Sequence, residues 1–237
     1  MDVTTYLAHL RTDSDAILAA YQADPTAAVV PCPGWDRAAL LAHLGRTQEW
    51  IRLQAERGPE ERVRFGETAP APEGDAMVGW FSQGATALIA TLDAMDVSIT
   101  WPTWAGPQPG IFYPRRIAQE TAVHRRDADP APMDPALAVD GVDELLEIFA
   151  PLASGEALAE HPGSIHLHAT DADGEWLVHL TPEGVRFEHG HAKGDVALRG
   201  SAGDLLLWGW NRVPVDDRFE VFGDTALLDV WRTAVAV

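Results

Sequence analysis

The sequence predicts a bundle of four helices followed by a small α+β domain that contains an antiparallel sheet. Up to residue 129, apolar residues recur at the spacing of amphipathic helices. After residue 135, several short segments alternate apolar and polar residues, and glycine-containing turns separate them. A proline cluster lies between the two patterns. We therefore place residues 1–134 in the bundle and residues 135–237 in the α+β domain.

Four segments of the first domain carry the helical pattern. The first ends before Pro25, and the second begins at Asp36, a residue type that caps helix N-termini well, and stops at Gly58. Helices joined in succession by loops are typical of an antiparallel bundle. The predicted helices cover residues 2–23, 36–57, 73–95 and 115–129.

Residues 101–114, between the third and fourth helices, read WPTWAGPQPGIFYP. Proline lacks a backbone N–H donor, so four prolines in fourteen residues disfavour any regular element. We expect an irregular loop that is ordered by the packing of its aromatic side chains. Because functional residues often lie on such loops, we expect this one to line a functional site.

The second domain has the patterns of a sheet with a few helices on one face. A helix is expected first, then four strands, a short helix capped by Ser201, a last strand and a last helix. The five histidines of the strand region could hold a second metal, but we favour solvent-facing strand histidines. Two pairs, His166 with His168 and His189 with His191, are each expected to share a face. The predicted elements cover residues 142–153, 164–171, 175–181, 184–190, 195–200, 201–210, 218–224 and 225–237.

Composition and charge exclude several classes of protein. The chain has 17 Lys and Arg against 36 Asp and Glu, a net charge of −19, which would repel a phosphate backbone. We expect no nucleic acid partner. The single cysteine, Cys32, allows no internal disulfide and no four-cysteine zinc site. No apolar stretch is long enough to span a membrane, and the N-terminus has no secretory pattern, so a cytoplasmic protein is expected.

Three residues of the bundle are candidate metal ligands. Glu120 and His124 lie four positions apart on the fourth predicted helix and therefore point the same way. His43 lies on an apolar face of the second helix, where a buried imidazole needs a polar partner. Two histidines and one carboxylate would leave coordination positions open, as in catalytic zinc sites, and would also suit iron(II) or nickel. Alternatively, Glu120 forms a surface ion pair with Arg116 or Arg125, and the histidines are hydrogen-bonded core residues.

The residues near these candidates have simpler interpretations. Cys32 has no base near it in sequence and is not favoured as a nucleophile. Trp35 is expected to pack its loop on the bundle. Arg125 is expected to pair with a carboxylate such as Asp127. Asp127 could instead orient a ligand histidine, or lie on the helix surface.

Two motifs resemble those of the mycothiol-dependent maleylpyruvate isomerase family. They are CPGWDRAALLAHLG at 32–45 and ETAVHRRDAD at 120–129, and LLLWGWNRVPVDDRFEVFGD at 205–224 resembles the family's C-terminal domain. The resemblance covers nearly the whole chain and implies a DinB-like bundle followed by a sterol-carrier-like domain. It also implies that His43, Glu120 and His124 are the metal ligands. The matching motif positions are Trp35, Asp36, Leu40, His43, Glu120, His124, Arg125, Asp127 and Ala128.

The resemblance also implies a chemistry and its partners. A thiol on a divalent metal is deprotonated, so mycothiol would be held as a thiolate nucleophile for isomerisation of, or S-transfer to, a small electrophilic substrate. Arg212 is the candidate for binding a substrate anion, although an ion pair with Asp216 or Asp217 would also explain it. The family is functionally broad, and Asn211 stands where relatives often have glycine. The oligomeric state is left open.

Two other classes of function remain open. The metal could activate water or a carbonyl without any thiol, in a hydrolase or lyase. Alternatively, the second domain could bind an apolar ligand, and the metal would then be structural in a protein that is not an enzyme.

Overall fold

The computed structural model describes residues 1–153 and 156–235, and its contacts divide the chain into two compact units. The first unit is Met1–Ala131 and the second is Pro132–Val237. The prediction of a helical N-terminal region followed by a sheet-containing domain is confirmed. None of the described helices has the length and apolar character of a membrane span.

Four helices form the first unit. Asp2 and Asp36 cap the first two, because their side chains accept hydrogen bonds from the backbone N–H groups of Thr5 and Ala39, both at 2.8 Å. Helix α1 packs along α3 and α4, and α2 packs along α3. Their facing surfaces bury leucine, isoleucine and phenylalanine side chains in one core. The helices are α1 (Val3–Ala23), α2 (Arg37–Arg57), α3 (Ala76–Asp93) and α4 (Phe112–Ala128).

The expectation of an irregular loop at residues 101–114 is wrong. Strands β1 (Thr100–Thr103) and β2 (Gly106–Pro109) form an antiparallel hairpin, with Pro102 opposite Pro107. An isolated pair of strands has only edges, so a proline can direct its missing donor away from the partner strand. Helix α4 also begins earlier than expected, at Phe112, because a proline is tolerated in the first turn.

The first helix of the second unit also begins earlier than expected. The Asp134 side chain accepts a hydrogen bond from the N–H of Leu137 at 2.9 Å, and α5 (Pro135–Glu144) follows it. Proline at the first helical position favours a helix start, so the proline cluster begins this helix. A π-helical turn, Leu145–Phe149, and a short 3-10 turn continue the chain.

Five strands of the second unit form a sheet in the order β5-β4-β3-β6-β7. The sheet was expected to be antiparallel. Three of its strand pairs are, but the expectation is wrong for β6, which runs parallel to β3. Strand β5 ends beside the start of β4, and residues 190–195 then return the chain to the start of β3. The strands are β3 (Gly163–Ala169), β4 (Glu175–Thr181), β5 (Gly184–His189), β6 (Val196–Gly200) and β7 (Glu220–Gly223).

Helices cover one face of this sheet. The two later helices are α7 (Ala202–Gly209) and α8 (Ala226–Ala234), and a short helix that the sequence did not predict, α6, spans Glu156–Glu160. Trp208 of α7 stacks on Trp231 of α8 with ring centroids 5.6 Å apart. The last two residues of the predicted final helix, 236 and 237, lie outside the described residues.

Asn211, which follows α7, has a left-handed backbone with a φ of 58°. Glycine and asparagine adopt this conformation most readily, so asparagine is suited to this position. The Asn211 side chain also donates a hydrogen bond to the Val235 carbonyl at 3.1 Å.

The expectation that the strand histidines face solvent is wrong for His166, which is buried. His189 and His191 also do not share a face. His189 lies 3.5 Å from Asp143 of α5, whereas His191 lies 3.0 Å from Glu175 of β4.

Candidate metal centre

Helices α2 and α4 bring the three predicted ligands together. His43 Nε2 lies 3.0 Å from Glu120 Oε1, and His124 Nε2 lies 3.4 Å from the same oxygen. The three candidate ligand atoms all lie within 4.8 Å of one another. Because zinc bonds to nitrogen and oxygen are short, two ligand atoms on one tetrahedral zinc lie about 3.3 Å apart. The described side chains therefore fit a divalent ion with little movement.

Glu120 uses its two carboxylate oxygens for different partners. Oε1 faces both histidines, and Oε2 accepts a hydrogen bond from Arg116 Nη2 at 2.9 Å. Burial by itself would raise the pKa of Glu120. The bonds from His124 and His43 and the Arg116 charge outweigh that effect and hold the pKa well below its usual range. A carboxylate that stays ionised in this way is suited to bind a cation.

Asp127 fixes the orientation of the His124 ring. Its Oδ2 accepts a hydrogen bond from His124 Nδ1 at 2.8 Å and another from Cys32 Sγ at 3.4 Å. The Asp127 side chain is only 1% exposed, so it is not a helix-surface carboxylate. With Nδ1 held as the donor, Nε2 of the neutral ring directs its lone pair toward Glu120 and His43.

In the absence of a metal, the pKa of His124 reflects the same contacts. Burial alone would lower the pKa, but the bonds to Asp127, Cys32 and Glu120 raise it well above its usual value. Metal binding at Nε2 requires the neutral ring, so it would displace a proton from this side chain.

Trp35 covers one side of the three-residue group. Its ring centroid lies 5.0 Å from that of His43 and 6.1 Å from that of His124. The indole also packs against the buried cluster of Val29, Cys32 and Leu40. Trp35 therefore packs its loop onto the bundle, as expected, and also shields the histidine rings. The His43 side chain keeps 32% of its surface exposed, which leaves the group accessible.

Two arginines of α4 hold carboxylates. Arg125 pairs with a carboxylate, as expected, and the partner is Asp13 of α1. Arg125 Nε donates to Asp13 Oδ1 of α1 at 3.1 Å, and its Nη1 donates to the Ala131 carbonyl. The ion pair of Glu120 with Arg116 does occur, but it is partly buried and coexists with the histidine contacts. The sequence analysis did not include Arg116 in the metal site. Its position four residues before Glu120 was the signal that it could hold the Glu120 carboxylate.

The described part of the second unit places Arg212 just after α7. Its backbone N–H donates to the Leu207 carbonyl at 2.8 Å. Asp216, considered above as its ion-pair partner, accepts hydrogen bonds from the Arg218 guanidinium at 2.6 and 2.8 Å. The anion-binding role of Arg212 stays a prediction.

Two family models match the chain. The mycothiol maleylpyruvate isomerase N-terminal domain matches residues 7–129, and the C-terminal domain of the same family, abbreviated MDMPI, matches residues 136–229. The chain belongs to this family. The resemblance inferred from the sequence motifs is confirmed.

Solved structures of mycothiol-dependent maleylpyruvate isomerase have a similar fold. One of them is a variant with a histidine-to-alanine substitution. Each matches with a TM-score of 0.62 and 12% sequence identity over 93% of both chains. At this identity the similarity shows that the fold is shared by this member of the family. The comparison with curated proteins gave no match.

Proposed function

We propose that this chain is a metal-dependent enzyme that uses a low-molecular-weight thiol, mycothiol, to isomerise a small electrophilic substrate. The observation that carries the proposal is the convergence of His43, Glu120 and His124 within 4.8 Å. Membership of the mycothiol maleylpyruvate isomerase family supports the choice of thiol. S-transfer to an electrophile would use the same site and is the alternative reaction.

The side chains of the bundle would hold and orient the ion. His43, Glu120 and His124 would supply three ligands, which would leave positions free for a thiol and a substrate oxygen. Arg116 holds the Glu120 carboxylate, and Asp127 holds the His124 ring. When bound, the metal would keep the thiol as a thiolate, the form that adds reversibly to an electrophilic double bond and thereby permits cis–trans isomerisation.

Arg212 is proposed to bind a carboxylate of the substrate, because a chain with a net charge of −19 needs a cation for that purpose. Loss of a charged hydrogen bond worth about 1.5–3 kcal/mol predicts that Arg212→Gln raises KM by about 10-fold or more. An unchanged KM would remove Arg212 from the proposal.

The test uses the purified full chain with maleylpyruvate and mycothiol. Elemental analysis is expected to find about one equivalent of divalent metal fewer in His43→Ala than in the wild type, and activity should fall with the loss of that metal. His161→Ala, a change at an exposed histidine outside the bundle, is the matched control and should keep both. Full activity in metal-free protein would refute the proposal. Turnover without added thiol would instead indicate a hydrolase or lyase.

A further inference from the structure

Four side chains meet on one face of the sheet. Trp176 of β4 lies on the other face, where its Nε1 donates to Asp143 of α5 at 2.6 Å. His166 and His168 lie two positions apart on β3 and therefore project to the same side. Glu175 of β4 lies directly opposite His168 in the strand register. His191 comes from the segment that follows β5. We refer to His166, His168, Glu175 and His191 as the sheet cluster.

The carboxylate of Glu175 lies at the centre of the sheet cluster. Its Oε1 lies 2.5 Å from His168 Nδ1, and its Oε2 lies 3.0 Å from His191 Nδ1 and 3.5 Å from His166 Nε2. One ligand atom from each of the four residues can be chosen so that all lie within 4.8 Å of one another. These separations bracket the spacing of about 3.3 Å that a tetrahedral zinc site requires.

The chain path explains why His191 reaches this group. Residues 190–195 run from the start of β4 to the start of β6 and so must cross β4 and β3. The Gly190 N–H donates to the Glu175 carbonyl, and the Asp195 N–H donates to the Ser164 carbonyl of β3. A Cβ at Gly194 would lie 2.8 Å from the His166 backbone nitrogen, so the crossing is close. The crossing segment places His191 against His166, with ring centroids 5.1 Å apart.

His166 provides a second, independent observation. Its side chain is only 7% exposed, and its Nε2, directed into the cluster, has no hydrogen-bond partner among the described residues. A buried polar atom without such a partner costs about 1–3 kcal/mol, so it needs an explanation. A bound cation would satisfy this nitrogen.

The surrounding charges permit a cation here. Arg199 of β6 is the register neighbour of His168. Its guanidinium donates to Glu220 Oε2 of β7 at 2.7 Å, so its charge is compensated within the sheet. Glu175 then contributes one negative charge to a group of otherwise neutral ligands.

We propose that His166, His168, Glu175 and His191 form a second divalent-metal site, separate from the bundle ligands, for an ion of the zinc class. Three imidazoles and one carboxylate suit Zn²⁺ better than Mg²⁺ or Ca²⁺, which prefer oxygen ligands. Four protein ligands would fill a tetrahedral shell, as in structural zinc sites. The ion would tie the crossing segment to β3 and β4.

The test measures metal bound to the full chain after equilibrium dialysis against Zn²⁺, with Co²⁺ absorption as a second readout. His166→Gln/His168→Gln is expected to lose about one metal equivalent relative to the wild type. In a His43→Ala background, the same pair of changes should remove the remaining equivalent. The bundle site and the sheet cluster are thus tested separately, because each can lose its metal without the other.

A milder variant protects the test against misfolding. The His191 side chain is 80% exposed, so His191→Ala should fold normally. Loss of an outer-sphere partner costs 10–100-fold in affinity, so loss of this direct ligand should weaken Zn²⁺ binding by at least about 10-fold. His189→Gln, on the neighbouring strand but outside the cluster, should leave binding unchanged. Zn²⁺ stoichiometry and affinity that are the same in His191→Ala and in the wild type would overturn the proposal.

Discussion

At the scale of residues, single carboxylates of the bundle site each bind several partners. Glu120 meets two histidines through one oxygen and Arg116 through the other. Asp127 accepts from both His124 and Cys32. Each of these carboxylates is held by hydrogen bonds before any ion binds, and such preorganisation limits the conformational cost of binding.

Asp127→Asn tests this support for His124. The substitution removes the charge that favours the Nδ1–H tautomer, so we expect metal affinity to fall by about 10–100-fold. Competition with a chromophoric chelator would measure the change. Asp15→Asn, at an exposed position of α1, is the matched control. Equal affinities in the Asp127 variant and the wild type would contradict a role for Asp127 in orienting the ring.

At the scale of elements, α2, the helix that carries His43, packs closely on α3. Gly45, two residues after His43, lies against the indole of Trp80 on α3. A Cβ at Gly45 would lie 2.2 Å from the nearest Trp80 ring carbon. The absence of a side chain at Gly45 therefore allows the two helices to approach closely.

Gly45→Ala should move Trp80 and lower the free energy of unfolding by about 1–3 kcal/mol, as other overpacked cores do. Gly84→Ala on α3 meets nothing within 4 Å and should raise that free energy by about 0.5–1 kcal/mol, because alanine is the better helix former. Chemical denaturation of both variants measures the two effects. If Gly45→Ala were as stable as Gly84→Ala, Trp80 would not restrict the helix contact.

At the scale of the whole molecule, the dominant property is the net charge of −19. Like charges repel one another in the compact state, and salt screens this repulsion over roughly 10 Å at 0.1 M.

Added sodium chloride should therefore stabilise the protein. Each kcal/mol gained should raise Tm by about 2–4 °C for a chain of this size. Thermal unfolding between low and moderate salt, followed by circular dichroism, measures the shift. A Tm that falls as salt is added would show that attractive ion pairs, such as that of Arg116 with Glu120, outweigh the repulsion.

The sequence by itself determined the types and order of most elements and the three candidate ligands of the bundle. Those features depend on local periodicity, since Glu120 and His124 share a helix face at any orientation of that helix. The family motifs indicate the same three ligands. They can be read from the sequence because each motif lies within a single helix or loop.

The tertiary structure alone decided which distant residues meet. Asp13 of α1 pairs with Arg125 of α4, and His43 of α2 meets Glu120 of α4. The parallel pairing of β6 with β3 and the position of His191 beside Glu175 also follow from the path of the chain. Their physical reason is common: pairing between segments far apart in sequence depends on packing, which local spacing does not encode.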